Sequence, residues 1–149
     1  MPQSRTTLVV RSGREPFEVA FLISCLAVGV ALLVTPDFPA SVSVTMPLLL
    51  QHLWTGGLIA TGLLGGLGLA LQGKQLVRGL LVELAGLSIG CAAELMYGVA
   101  LFTVSGGKAA AAGGFVLAFA CGAAARLYRI LTDLRAAPGD STRIETDHG

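Results

Sequence analysis

The chain has 149 residues, of which 54% are hydrophobic and 13% are charged, and its formal net charge at pH 7 is +1. Soluble domains usually carry about 25% charged residues, so this composition argues against an ordinary soluble domain and favours one integral membrane domain. Scattered arginines beside apolar segments do not indicate nucleic-acid binding. The three cysteines all fall inside apolar runs without paired spacing, which indicates neither a disulfide framework nor a metal site: Cys25, Cys91 and Cys121.

The first predicted transmembrane helix follows Pro16 and covers about residues 17–34, an apolar run that Glu18 and Ser24 interrupt. Glu18 falls in the first turn, where a carboxylate suits the helix dipole and can stay at the membrane interface. A secretory signal peptide is the competing interpretation, but this run is longer than the usual apolar region of about 7–15 residues. The next segment, residues 35–46, has two prolines and no Lys or Arg, which is typical of an extracytoplasmic loop.

The second predicted helix covers about residues 47–71 and is rich in glycine. Trp54 lies in its outer part, where the aromatic belt of a membrane interface is expected. Glycine disfavours helices in water, but in lipid it allows two helix backbones to approach closely. The spacing of Gly62 and Gly66 is the small-residue pattern of paired membrane helices, so both are predicted to pack against another helix.

The third predicted helix covers about residues 79–104 and carries a carboxyl group, that of Glu94, at the middle of its apolar span. An acid at that depth costs about 2.5–3.5 kcal/mol on insertion scales, so neighbouring helices should cover it. Glu83 precedes Glu94 by about three helical turns and therefore shares its face. We expect this polar stripe, with Tyr97 nearby, to point into the protein because lipid cannot satisfy it. The stripe includes small residues that allow another helix to approach: Gly86 and Gly90.

The fourth predicted helix covers about residues 109–135 and continues beyond the bilayer. Arg126 is at the same depth as Glu83 of the third helix, which predicts an ion pair between them. Apolar side chains around and after Arg126 are expected at the membrane interface: Leu127, Ile130, Leu131 and Leu134. Earlier in the helix a row of small residues predicts helix packing: Gly114, Ala118 and Gly122. Residues 136–149 are polar and predict a disordered cytoplasmic tail.

The basic residues predict how the four helices are oriented. Three precede the first helix, two lie between the second and the third, and four lie towards the carboxyl end, whereas residues 35–46 have none and residues 105–108 have one. Nine of ten therefore fall on one side, which the positive-inside rule places in the cytoplasm. The sequence predicts an all-α protein of the cytoplasmic (inner) membrane: residues 1–135 form one antiparallel bundle of four transmembrane helices, with both termini in the cytoplasm.

Glu94 is the residue whose chemistry the sequence leaves open. No basic residue lies at its depth, so we expect it to be protonated and hydrogen-bonded to Thr55, to backbone near Gly56 and Gly57, or to Tyr97. One interpretation makes it a proton or cation site that lines a path. The other makes it a hydrogen-bonding group that holds helices or subunits together. No catalytic, phosphate-loop or metal-ligand motif is present, so the sequence predicts a protein that is not an enzyme and has no cofactor.

A family resemblance adds a functional expectation. The glycine-rich second helix, the VELAGL segment that starts at Val82 and the RLYRILTDLR segment that starts at Arg126 resemble small four-helix membrane proteins of actinobacterial phages and prophages, some labelled holin-like. The resemblance covers residues 16–135. It implies a non-enzymatic protein of the lipid bilayer that forms a homo-oligomer, or joins another membrane protein, and permeabilises the inner membrane for an endolysin.

Two other functions stay open. Four helices with one deep glutamate are also similar to small multidrug resistance transporters, which implies a small proton-coupled transporter or ion channel that uses Glu94. In that family the essential glutamate lies in the first helix, where this chain has only the terminal Glu18. The third interpretation is an accessory membrane subunit whose polar stripe docks a partner helix.

Overall fold

The protein is all-α in the part that the structure describes. The computed structural model describes residues 16–136, and helices account for 91% of them. The all-α prediction is therefore confirmed. In chain order the helices are α1 (Pro16–Val34), α2 (Ala40–Thr45), α3 (Leu48–Leu71), α4 (Leu76–Ser105) and α5 (Ala110–Ala136), with a 3₁₀ turn at Gly106–Ala109 between the last two.

Three helical stretches are long and apolar enough to cross a membrane. They are α1, α3 and the 60-residue stretch Leu76–Arg135, which contains both α4 and α5. Many of their large apolar side chains face outward, among them Leu33, Val99 and Phe115, which is 72% exposed. A soluble monomer rarely exposes apolar surface on this scale, whereas lipid covers it at no cost. The prediction of a membrane protein with transmembrane helices is supported.

The long helices begin and end within a few residues of the predicted bounds, but the predicted loop at 35–46 contains the short helix α2. The backbone N–H groups of Val42 and Ser43 donate to the carbonyl of Pro39 at 2.9 and 3.0 Å, which starts this helix. Val42 is completely buried, and α2 packs mainly against α4. The prolines of this segment predict a loop, but burial of Val42 against α4 stabilises a short helix there.

Helix α3 lies between α1 and α4 and contacts both through glycines. A Cβ atom built on Gly62 would lie 2.8 Å from the carbonyl oxygen of Leu22 in α1. On the other side, a Cβ atom on Gly86 of α4 would lie 2.6 Å from the backbone nitrogen of Gly65. The packing roles predicted for Gly62 and Gly86 match these contacts. Gly66, predicted to pack with Gly62, is exposed, and a Cβ atom added to it would meet nothing within 4 Å in residues 16–136 beyond the adjoining backbone of its own helix.

Helix α5 packs on α4 through a different face from the predicted one. A Cβ atom built on Gly114 meets no other part of the described chain within 4 Å, and Ala118 is exposed, so these two do not pack against the described residues. Gly122 contacts Phe17 of α1. The buried residues of α5 lie on nearly the opposite side of the helix, about 170° from that row: Gly113, Val116, Ala120, Ala123 and Ile130.

Two further side chains differ from their predicted surroundings. Trp54, expected in the interfacial belt, is 5% exposed and packs inside the protein. Ile130, expected at the membrane interface, is completely buried, while Leu131 remains exposed. The predicted tail lies outside the described residues apart from Ala136.

Candidate functional site

A cluster of charged side chains joins four segments at one end of the protein. Arg126 of α5 places its Nε 2.7 Å from Oε1 of Glu83 in α4 and 3.3 Å from Oε2 of Glu18 in α1. Gln72, directly after α3, donates its side-chain amide to the other carboxyl oxygen of Glu83. We call Glu18, Gln72, Glu83 and Arg126 the end cluster.

The end cluster is withdrawn from solvent. Glu83 is fully buried, Glu18 is 6% exposed, and the Arg126 side chain is 11% exposed. Charges this deep persist in proteins only when they are paired and hydrogen-bonded, so Arg126 is the group that makes both carboxyl groups tolerable. The Glu83–Arg126 pair was expected from matching depth. The sequence did not predict that Glu18 and Gln72 join this cluster. Both lie near helix ends, where a polar residue usually faces the membrane interface.

Glu94 lies apart from the end cluster, in a cavity of about 360 Å³. Within the described residues its carboxyl group makes no hydrogen bond or ion pair. Thr55 was an expected partner, but its hydroxyl donates to the carbonyl of Gln51 in its own helix at 2.9 Å. The hydrogen bond expected from Thr55 is therefore absent among the described residues, and a cavity lined by several helices borders Glu94.

The cavity has aromatic walls drawn from several helices. The rings of Trp54 and Tyr97 stack with centroids 5.3 Å apart, which places Tyr97 beside the same cavity as Glu94. The Trp54 N–H is buried and has no hydrogen-bond partner within the described residues. At its outer end the cavity reaches Asp37, an exposed residue of the connection between α1 and α2. It thus extends from an accessible loop to a carboxyl group within the protein.

Stacked phenylalanines lie between this cavity and the end cluster. The ring centroid of Phe119 is 5.8 Å from that of Phe21 and 5.6 Å from that of Phe17. Phe21 and Phe119 line the large cavity, whereas Phe17 and Phe21 line a second cavity of about 30 Å³ that reaches Glu18 and Arg126. Residues of α1, α4 and α5 line both cavities, which share Phe21, and we call the space that the cavities form with the charged groups the seam.

The predicted polar stripe of α4 is divided by this arrangement. Glu83 belongs to the end cluster, and Glu94 with Tyr97 belongs to the cavity. Gly86 and Gly90 lie between them against α3, where a Cβ atom on Gly90 would be 2.6 Å from Cγ2 of Thr61.

Comparisons with protein-family models, with curated proteins and with solved structures find no match. Within residues 16–136 no group of three His, Cys, Asp or Glu side chains is placed to hold a metal ion. The charged groups of the candidate site are four carboxyl groups and one guanidinium group: Glu18, Asp37, Glu83, Glu94 and Arg126.

Proposed function

We propose that the chain crosses the cytoplasmic membrane four times as an antiparallel bundle with both termini in the cytoplasm. The contacts between neighbouring helices support alternating directions: Glu83 pairs with Arg126 near the start of α4 and the end of α5, while Gly98 lies near Val116 at their other ends. The distribution of Lys and Arg supports the orientation. The end cluster then lies on the cytoplasmic side and Asp37 on the outer side.

Single cysteines test this orientation. In a chain whose native cysteines are replaced by serine, a membrane-impermeant maleimide should label Ser43→Cys, an exposed position of α2, in intact cells. The same maleimide should label Ser141→Cys only after the cells are permeabilised. Labelling of both positions in intact cells, or of Ser141→Cys alone, would contradict the proposed orientation.

We further propose that the protein is not an enzyme and conducts protons along the seam that α1, α4 and α5 border. The observation that carries this proposal is the placement of Glu94 in a cavity that leads from the outer loop, with the buried end cluster beyond it on the same seam. Carboxyl groups in membrane segments are costly and mark proton relays. The stacked rings of Phe21 and Phe119 lie between the two acidic sites on this path.

The size of the second cavity supports a proton as the conducted ion rather than a metal cation. This cavity holds about 30 Å³ beside Glu18 and Arg126, room for about one or two water molecules, which is too small for a hydrated metal cation. Water that bridges the carboxyl groups can carry a proton through this part without a free cation entering it. Glu18 and Glu83 both contact Arg126, so one proton held between them leaves the cluster electrically balanced.

Proton flux into liposomes tests the path. The purified protein is reconstituted into liposomes that contain a pH-sensitive dye, and a membrane potential that is negative inside is imposed. The lumen of liposomes with the wild-type protein should acidify faster than that of protein-free liposomes. Glu94→Gln should lower this rate at least tenfold because the amide cannot carry the proton. Asp133→Asn, an exposed change in α5, is the matched control and should conduct as wild type does. Equal rates in wild type and Glu94→Gln would reject the proposal.

A holin-like membrane-permeabilising protein is the second candidate. It is favoured by glycines that face outward with no neighbour within the described chain, notably Gly66 in α3 and Gly114 in α5. Such positions allow a second copy, or a helix of another membrane protein, to approach closely. Abrupt depolarisation of cells after induced expression, unchanged in Glu94→Gln, would favour this candidate over the proton path.

A further inference from the structure

We propose that Asp37 is the proton-collecting residue of the path: its exposed carboxylate captures protons from the outer solution and passes them into the cavity that Glu94 lines. This inference rests on the proposed function and deepens it, because it names the group that sets how fast protons enter. It follows from where Asp37 lies, from the charges near the cavity and from the polar groups along its walls.

Asp37 lies at the outer end of the cavity, where the protein meets water. It is an exposed residue of the short connection between α1 and α2, and its backbone N–H donates to the carbonyl of Thr35 at 2.7 Å. Helix α2 begins three residues later and is packed against α4 through the buried Val42. The connection is therefore held by a helix on each side, which keeps Asp37 at the entrance.

The charges around this entrance favour the capture of a cation. Among the described residues that line the cavity, Asp37 and Glu94 are the acidic ones, and none is Lys, Arg or His. Two residues at the outer ends of helices can carry a positive charge, His52 and Lys108, but neither lines the cavity. The other titratable groups of its walls are the side chains of Cys25 and Tyr97, whose protonated forms are neutral. In the described lining, no positive charge opposes a proton that approaches Asp37.

A carboxylate at the entrance of an apolar cavity matters because protons are scarce near neutral pH. An acceptor inside the protein, such as Glu94, receives few of them by direct encounter. A cleft with low-dielectric walls and charges of one sign speeds the arrival of the opposite charge by about 10–1,000-fold, and salt weakens this effect. One exposed carboxylate is expected at the lower end of that range, since water and salt screen its charge.

The transfer needs no reactant other than water. The Asp37 carboxylate takes a proton from hydronium, which becomes water, and then gives this proton to a water molecule inside the cavity. A volume of about 360 Å³ has room for several water molecules, and the hydroxyl-bearing residues Ser24 and Tyr97 also line it. The proton then passes along this water to Glu94, which leaves Asp37 ionised for the next proton.

Right-side-out membrane vesicles from bacteria that express the full chain test this role. They contain a pH-sensitive dye, a negative-inside potential drives proton entry, and vesicles with Glu94→Gln give the background rate. At an outer pH of about 8, Asp37→Asn should lower the rate above background about tenfold, but by less than about twofold at pH 6, where protons are about a hundredfold more plentiful. Ser43→Asn, an exposed change in α2 outside the cavity lining, is the matched control and should conduct as wild type does. Rates are divided by the amount of each variant in the vesicles.

Two further measurements separate proton capture from a structural role. Asp37→Glu keeps the carboxylate and should restore the wild-type rate at the higher pH. Raising the salt concentration outside should slow wild type but not Asp37→Asn, since salt screens only a charge that is present. A loss in Asp37→Asn that is equal at both pH values, or no loss at either, would overturn the inference and leave the proton path standing. A wild-type rate equal to that of Glu94→Gln would reject the proton path and this inference together.

Discussion

Replacing Arg126 with leucine is expected to lower the free energy of unfolding by about 3–5 kcal/mol. The change removes the only guanidinium group that contacts Glu83 and Glu18 among the described residues, and it leaves both carboxyl groups buried. The loss exceeds that of a surface ion pair, about 0–1 kcal/mol, because water cannot reach Glu83 to replace the lost partner. Unfolding of the purified protein in mixed micelles of mild detergent and dodecyl sulfate, followed by circular dichroism, measures the difference.

The matched control is Arg135→Leu, which removes an exposed arginine from the same helix and should change the free energy of unfolding by less than about 0.5 kcal/mol. Combining Arg126→Leu with Glu83→Gln should recover part of the loss, since the remaining amide carries no charge that needs compensation. If Arg126→Leu unfolds like wild type, the end cluster does not hold the helices together. If the double variant is no more stable than Arg126→Leu, the loss does not come from an uncompensated charge on Glu83.

Much of the fold could be predicted because the strongest signal in this chain is its hydropathy. The polar breaks at Lys74 and Lys108 separate runs that are too apolar for water, so the long helices were located within a few residues. The Glu83–Arg126 contact was also predictable. An acid and a base at equal depth in the membrane cost less free energy when they pair with each other than when each faces lipid alone.

Which face of each helix is buried in the protein was harder to predict than where each helix begins and ends. In water the apolar side of a helix marks the buried side, but in lipid both sides are apolar and the pattern carries no such contrast. The row of Gly114 and Ala118 was therefore placed against a neighbour, although the packing face of α5 includes Ala120 instead. The position of Trp54 near the outer end of its helix predicts an interfacial side chain, whereas the residue is buried. The Glu94 cavity depends on how side chains of several helices meet, which no single segment specifies.

Replacing Gly86 with alanine is expected to lower the free energy of unfolding by about 1–2 kcal/mol. The added methyl group would lie 2.6 Å from the backbone nitrogen of Gly65 and 3.1 Å from Cβ of Leu64. Backbone atoms cannot move away as a flexible side chain can, so α3 and α4 must separate. Such overpacking costs about 1–3 kcal/mol, against a gain of at most about 1 kcal/mol from the higher helix propensity of alanine. The same micelle unfolding measurement tests this.

Gly66→Ala is the matched control because it makes the same chemical change at an exposed position of α3. There the new methyl group meets no described atom within 4 Å apart from the adjoining backbone of its own helix. Only the propensity gain applies there, so this variant should be as stable as wild type or slightly more stable. If Gly86→Ala were also neutral, the close contact of α3 and α4 would not be a source of stability. A loss for Gly66→Ala that appears only at protein concentrations where copies associate would place Gly66 in a contact between copies, which the holin-like candidate requires and the proton path does not.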